Sequence, residues 1–251
     1  MMTNIGKMPY LNSEIFYLKK EDNFNYIYLT PKEMGKSIQN GYIDAGPISL
    51  IDFINTKSLQ PLMNYCVSTK KYANSVFIFS KKKLGEIKNI YITDETSTSV
   101  MLMKVLNHFY WKNDIFEISK EVNNADSQLL IGDRALIMKL SNDNQYDHII
   151  DLGFEWYKFT SLPFVFALWA HNNLDTTQIN NLKECIDYGL NNYDNSIKLI
   201  IEKRGSDFFS SEIITNYIKG FNYELTKPEN NAITTFKEMY NKLNNIYSNN
   251  S

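Results

Sequence analysis

Arginine is nearly missing from this chain: Arg134 and Arg204 are the only two among 251 residues. The 26 basic side chains are therefore almost all lysine, and 28 acidic ones outnumber them, for a formal net charge of -2. General nucleic-acid binding needs clustered basic surface. The densest basic run, Lys81-Lys82-Lys83, follows a strand-like stretch and reads as a solvated turn. Cysteine is scarce too. Cys66 and Cys185 match no metal-ligand spacing and read as free thiols in a reducing compartment. The three histidines, His108, His148 and His171, have neither metal spacing nor a nucleophile partner, so no metal site is expected. No apolar run approaches the ~20 residues of a membrane span, and the N-terminus enters a strand-like segment without an apolar signal region. The expectation is a cytoplasmic protein with no nucleic-acid or membrane partner, a monomer or homodimer.

What is present is a globular composition, 43% hydrophobic, in a chain long enough for one or two domains. The order of elements carries more information. Strands are expected over 4–8, 26–29 and 42–45. A helix from about 13 to 18 separates the first two. The next helix opens with Thr30-Pro31-Lys32-Glu33, a capping box with proline at the first helical position. Further strands are expected over 62–68 and 75–80, after which alternation restarts. Strand 89–93 is followed by helix 99–111, then strand 115–119, strand 128–131, helix 134–140, and strands 149–152 and 162–170. Helices capped by Asp175, Asp194 and Ser210 or Ser211 follow, and Pro228 opens the last.

Strand–helix alternation implies parallel sheets with helices on their faces. Two restarts joined by two long strand-like segments imply an α/β protein of two lobes with two crossover strands and a cleft between the lobes. The expected division is 1–77 with 167–251 for the first lobe, and 78–166 for the second. This is the plan of a hinged solute-binding fold. In such sheets a ligand sits beyond the carboxyl ends of the strands. The pieces placed there are Tyr10-Leu11-Asn12, Pro47-Ile48-Ser49, Thr96 to Ser99, Gly132-Asp133 and Leu162-Pro163-Phe164. Thr96, Ser97 and Thr98 also suit the start of a helix, where free N–H groups attract anions. That turn reads either as an ordinary cap or as a seat for a carboxylate or phosphate.

These pieces, in this order, resemble one family. Gly6-Lys7-Met8-Pro9-Tyr10-Leu11-Asn12 is similar to its opening Tyr-Leu-Asn motif. Gly41-Tyr42-Ile43-Asp44-Ala45-Gly46-Pro47-Ile48-Ser49 is similar to its Gly-x-x-Asp-x-x-Pro-x-Ser. Ser75 leading Val76-Phe77-Ile78-Phe79-Ser80, the turn Ser97-Thr98-Ser99, and Ile131-Gly132-Asp133-Arg134-Ala135-Leu136 have counterparts as well. So does the block from Asp151-Leu152-Gly153 through Leu162-Pro163-Phe164 to Trp169. The family is chorismate dehydratase, the first enzyme of the futalosine route to menaquinone. The resemblance runs from about residue 5 to 169. Three departures stand out: no proline in Ser13-Glu14-Ile15-Phe16, Arg134 in place of a small residue, and Ser161 where glycine is frequent.

The resemblance implies a periplasmic-binding-protein type II-like fold, no cofactor, and a hydro-lyase that removes water from chorismate to give 3-[(1-carboxyvinyl)oxy]benzoate. It implies Asn12 and Ser75 as catalytic residues. It implies substrate contacts from Tyr10, Ser49, Ser97, Thr98, Ser99, Asp133, Pro163 and Phe164. No Asp, Glu or His falls at a base position in the shared motifs, which agrees with the substrate's own enolpyruvyl carboxylate taking the proton. From residues alone, Asn12 has a second reading as a helix cap and Ser75 as a small strand-entry residue, while Asp133 reads first as a cap for the helix at Arg134. Two alternatives stand beside the dehydratase. One is a 1,4-dihydroxy-6-naphthoate synthase-like enzyme of the same pathway, for which a histidine base is expected. The other is an intracellular, non-catalytic binding protein for small carboxylates.

Overall fold

The structure is a computed structural model that describes residues 2–112, 117–141, 145–206 and 208–249. In chain order, strand β1 (Thr3–Lys7) leads into a 3-10 helix (Leu11–Tyr17), strand β2 (Phe24–Tyr28), helix α1 (Pro31–Gln39), β3 (Ala45–Ser49), α2 (Leu50–Asn55) and β4 (Gln60–Thr69). There follow β5 (Val76–Ser80), β6 (Asn89–Ile92), α3 (Thr98–Leu106) with a π-helical turn (Asn107–Trp111), β7 (Glu117–Ser119) and β8 (Ser127–Ile131). Next are α4 (Gly132–Leu140), β9 (His148–Asp151), α5 (Leu152–Thr160) and β10 (Phe164–His171). The chain closes with α6 (Thr176–Asn191), α7 (Tyr193–Arg204), α8 (Ser211–Lys219), β11 (Phe221–Glu224) and α9 (Lys227–Asn249).

These elements form two compact units. Unit 1 is Met1–Ser68 with Phe166–Leu225, and unit 2 is Thr69–Val165 with Thr226–Ser251. The chain therefore passes between them three times, where two passages were expected. Unit 1 is built on a six-stranded sheet, β11-β4-β10-β3-β1-β2. In it β1 runs parallel to β2 and β3, and β10 runs antiparallel to β3 with Ala167 opposite Ser49. Unit 2 is built on a five-stranded sheet, β7-β6-β8-β5-β9. In it β6 runs parallel to β7 and β8, while β5 runs antiparallel to β8 and β9.

The expected capping boxes are present. Thr30 and Glu33 bond reciprocally at α1, as do Asp175 and Gln178 at α6. Four expectations need correction. The third strand is Ala45–Ser49, not 42–45, because Gly41 turns the chain at φ +69° and the Asp44 carboxylate accepts the Asn4 N–H at 2.8 Å, closing the turn ahead of it. α5 fills the stretch between the strands expected over 149–152 and 162–170, where no helix was expected, and takes Leu152 from the first of them. Asp151 caps it by accepting the Phe154 N–H, and Ser161 at φ +59° ends it. α7 begins at Tyr193 after Asn192, so Asp194 lies in its first turn rather than at its cap. α9 belongs to unit 2, not to the first lobe. Its fully buried Phe236 meets Trp156 and Phe164 edge-on, with ring centroids 5.9 and 5.1 Å apart. Of the strand expected over 115–119, residues 115 and 116 lie outside the described residues, and the described part is β7.

Candidate active site

In unit 1 the carboxyl ends of β1 and β3 lie along one edge of the sheet, since both strands run the same way. β1 delivers Tyr10 and then the 3-10 helix that carries Asn12. Tyr10, half-buried with extended backbone, occupies the cap position of that helix and supplies no side-chain cap. Asn12 is inside the helix, so it is not a capping residue. Its Oδ1 accepts from the Ser13 hydroxyl at 3.1 Å, and its amide nitrogen has no acceptor among the described residues. Ser49, at the end of β3, does serve as a cap. Its Oγ accepts the Asp52 N–H at 3.3 Å and donates to Asp52 Oδ2 at 2.6 Å.

The Asn12 helix is firmly seated. Glu14, two residues on and 3% exposed, accepts from Lys203 at 2.6 Å and Arg204 at 2.9 Å, with Lys7 Nζ 3.6 Å away. Burial alone would push the Glu14 carboxyl up. The bonded Lys203, together with Lys7 and Arg204, outweighs burial and holds it below its ordinary value of 4.5. Behind the same helix, α6 approaches so closely that a Cβ on Gly189 would fall 1.9 Å from the Ile15 carbonyl oxygen. Phe16 and Tyr17 pack their rings on Trp169, at 5.5 and 5.9 Å.

In unit 2 the carboxyl ends of β6, β8 and β9 and the start of β5 share one edge. Val76 pairs with Ile131, Phe77 with Asp151, and Ile92 with Leu129. The N-termini of α4 and α5 follow those strand ends directly, and that of α3 follows β6 after the 93–97 turn. Ser75, 2% exposed, immediately precedes β5. Its carbonyl accepts the Gly132 N–H at 2.8 Å, and its hydroxyl donates to the Ala73 carbonyl at 3.4 Å. Gly132 is at φ +64°, a conformation that favours glycine. The structure thus joins Ser75 to the Gly132-Asp133 turn. Asp133 is half-buried in the first turn of α4 but does not cap it, because the helix already begins at Gly132.

At the start of α3, Ser97 holds the cap position, and the Oγ1 of Thr96 just before it accepts the Ser99 N–H at 3.2 Å. Ser97 is half-buried and makes no side-chain cap. Thr98 and Ser99 are buried. Pro163 is half-buried, and its carbonyl accepts the Trp156 Nε1–H at 2.9 Å. Phe164 is 1% exposed, its ring packed between Trp156 and Phe236.

Sequence reading missed three contributors. Asp151 was noted only inside a motif. Here its Oδ1 accepts from Ala73 N and Phe154 N, both at 3.0 Å, and its Oδ2 from Asn74 N at 2.8 Å. Burial pushes its carboxyl up, against the three N–H donors and the Lys139 charge. Glu14 and Gly189 were the others. The available signal for Glu14 was a carboxylate set among Ile15, Phe16 and Tyr17.

The histidines lie away from these edges. His171, expected in a loop, ends β10 opposite Ala45, four residues along the strand from Ser49, or about 13 Å. Its ring is buried, and burial lowers its pKa. His148 pairs with Ser80, at the opposite end of β5 from Ser75. His108 is exposed in the π-helical turn, at the far end of α3 from Ser97. Among the described residues, no helix is long and apolar enough to cross a membrane, and no group of three or more His, Cys, Asp or Glu side chains is placed to hold a metal ion.

A family profile described as menaquinone biosynthesis matches residues 3–242. A chorismate dehydratase of Thermus thermophilus is 25% identical over 256 aligned positions, which cover 93% of this chain and 93% of that one. A chorismate dehydratase of Campylobacter jejuni is 29% identical over 174 positions, 66% of each chain. Among solved structures, a protein of Archaeoglobus fulgidus matches with a TM-score of 0.74 at 15% identity, covering 95% of this chain and 96% of its own. The periplasmic aliphatic sulphonate binding protein of Escherichia coli matches with a TM-score of 0.58 at 13% identity, covering 99% and 92%. The fold is that of the periplasmic-binding-protein-like α/β proteins.

Proposed function

We propose, from the premise that this chain belongs to the menaquinone biosynthesis family, that it is a chorismate dehydratase, a hydro-lyase that converts chorismate to 3-[(1-carboxyvinyl)oxy]benzoate. The observation that carries this reading is the likeness to a chorismate dehydratase along 93% of both chains. The residues at the two strand-end edges are of the kinds the chemistry needs. Chorismate offers two carboxylates, a ring hydroxyl and an enolpyruvyl ether. Its dehydration removes one ring proton and the hydroxyl and leaves an aromatic ring. No electrons are gained or lost, so the balance calls for no redox cofactor.

The protein's task is then to fix a reactive geometry and to stabilise developing charge. Asn12 can donate and accept at once, and its amide nitrogen is uncommitted among the described residues. It holds the leaving hydroxyl or a carboxylate. Ser75 orients the substrate through its hydroxyl. Ser97, Thr98 and Ser99 stand at the start of α3, where free N–H groups favour a carboxylate. Tyr10, Asp133 and Pro163 line the substrate, and Ser49 shapes its edge through the cap on α2. The proton goes to the substrate's own enolpyruvyl carboxylate. The enzyme works in the cytoplasm on this small molecule alone. The naphthoate synthase-like alternative calls for a histidine base, and no histidine stands at either edge.

Paired assays with chorismate and with the cyclic futalosine derivative of the sister reaction test this. Consumption of chorismate alone is the expected result. Consumption of the futalosine derivative alone would replace the dehydratase reading with the sister activity. Within the dehydratase reading, full kcat in both Ser75→Ala and Asn12→Asp would remove their assigned roles.

A further inference from the structure

We infer that Asp151 is a positioning residue that sets the Ser75 hydroxyl for the dehydration by clamping the 73–75 turn to the start of α5. This rests on the reading of Ser75 as a substrate-orienting residue. A carboxylate can accept several hydrogen bonds and donate none, and Asp151 uses both oxygens. Oδ1 takes the Phe154 N–H, which caps α5, and also the Ala73 N–H, while Oδ2 takes the Asn74 N–H. The cap needs only the first of these bonds. The other two tie the helix end to the residues just before Ser75.

The turn they hold is unusual in its backbone. Asn74 stands at φ +56°, a region that asparagine tolerates better than most residues. Ala73, held through its N–H, presents the carbonyl to which the Ser75 hydroxyl donates. Gly132 N–H grips the Ser75 carbonyl from the α4 side, and Lys139 of α4 donates to Asn74 Oδ1 at 3.3 Å. On the α5 side there is no slack. A Cβ on Gly153 would fall 2.8 Å from Ala73 N and 3.0 Å from Ala73 Cβ. Contacts on the backbone beside Ser75 thus converge on one carboxylate and one glycine. Misplacing a group by about 1 Å far from the chemistry can cost on the order of a hundredfold in rate.

Two substitutions separate the clamp from the cap. Asp151→Asn keeps a preferred capping residue but turns an N–H donor toward Asn74 N–H. Asp151→Ser also keeps a cap but is too short to reach residues 73 and 74. We expect both to lower kcat with chorismate by about a hundredfold while KM stays close to the parent's; the thermal midpoint falls too, because two N–H groups lose their acceptor, and falls equally when Ser75 is already alanine. Gly153→Ala, which leaves the carboxylate in place and displaces Ala73, should lower kcat in the same way. Because Asp151 acts through Ser75, Asp151→Asn combined with Ser75→Ala should be no slower than Ser75→Ala alone. Full kcat in Asp151→Asn and Asp151→Ser would overturn the inference, as would a double variant whose loss is the product of the single losses. Ser75→Ala is measured beside them. If it alone keeps full kcat, the reading of Ser75 fails, and the inference falls with it for that separate reason.

Discussion

Ser161 holds a backbone conformation that suits glycine, φ +59°, at the end of α5. The resemblance marked this position as one where glycine is frequent, and the structure gives the physical reason: a helix commonly ends on a left-handed residue. The departure to serine therefore bears on strain rather than on substrate contact, since Ser161 is exposed. Ser161→Gly should raise stability by about 1 kcal/mol, read as a higher urea midpoint with an unchanged slope. A lower midpoint would show that the serine side chain contributes a compensating interaction. Glu14 is a second residue-scale case. One buried carboxylate faces Lys7, Lys203 and Arg204, and its folded pKa lies below 4.5. A depressed acid pKa means that the stabilisation is present above the unfolded value and is lost as pH falls through the folded one. Glu14→Gln should therefore cost about 3 kcal/mol near neutral pH. The gap from the parent should close as pH drops below 4.5. A gap independent of pH would mean that packing, not charge, holds this helix.

At the scale of elements, the cap chemistry was legible and the aromatic stretch was not. Thr30-Pro31-Lys32-Glu33 and Asp175 with Gln178 announced α1 and α6, and both capping boxes form. α5 was hidden because Phe154, Trp156, Tyr157 and Phe159 are strand-favouring residues by propensity. Tertiary packing of Trp156 against Phe164 and Phe236 decides the matter. β11 was hidden by its shortness: four residues that join an existing sheet edge beside β4. The seat of the Asn12 helix could not be read from sequence either, because Gly189 lies far along the chain from Ile15. Its missing side chain is what lets α6 reach the Ile15 carbonyl. That contact is with backbone, which cannot turn aside. Gly189→Ala should cost about 2 kcal/mol through overpacking and lower kcat by shifting Asn12. Near-parental stability and kcat together would mean that α6 moves away freely.

At the scale of the whole molecule, the order of strands and helices carried the fold class, because strand–helix alternation leaves few ways to arrange a sheet. The assignment of the last helix was not accessible in this way. α9 joins unit 2 through Phe236, the one phenylalanine of a largely polar helix whose sequence gives no sign of its destination. The site followed a similar rule. Asn12, Ser75 and the Ser97-to-Ser99 turn were proposed from sequence because they stand at strand ends or starts and carry motifs, whereas Asp151 bonds to backbone groups that no side-chain pattern reveals. The central claim is the chemistry. The most direct measurement is incubation of the pure protein with chorismate and no added cofactor, followed by liquid chromatography with mass detection. The account predicts a product lighter by one water with an aromatic absorbance, absent when Ser75→Ala replaces the parent. Folded protein that leaves chorismate unchanged would contradict it.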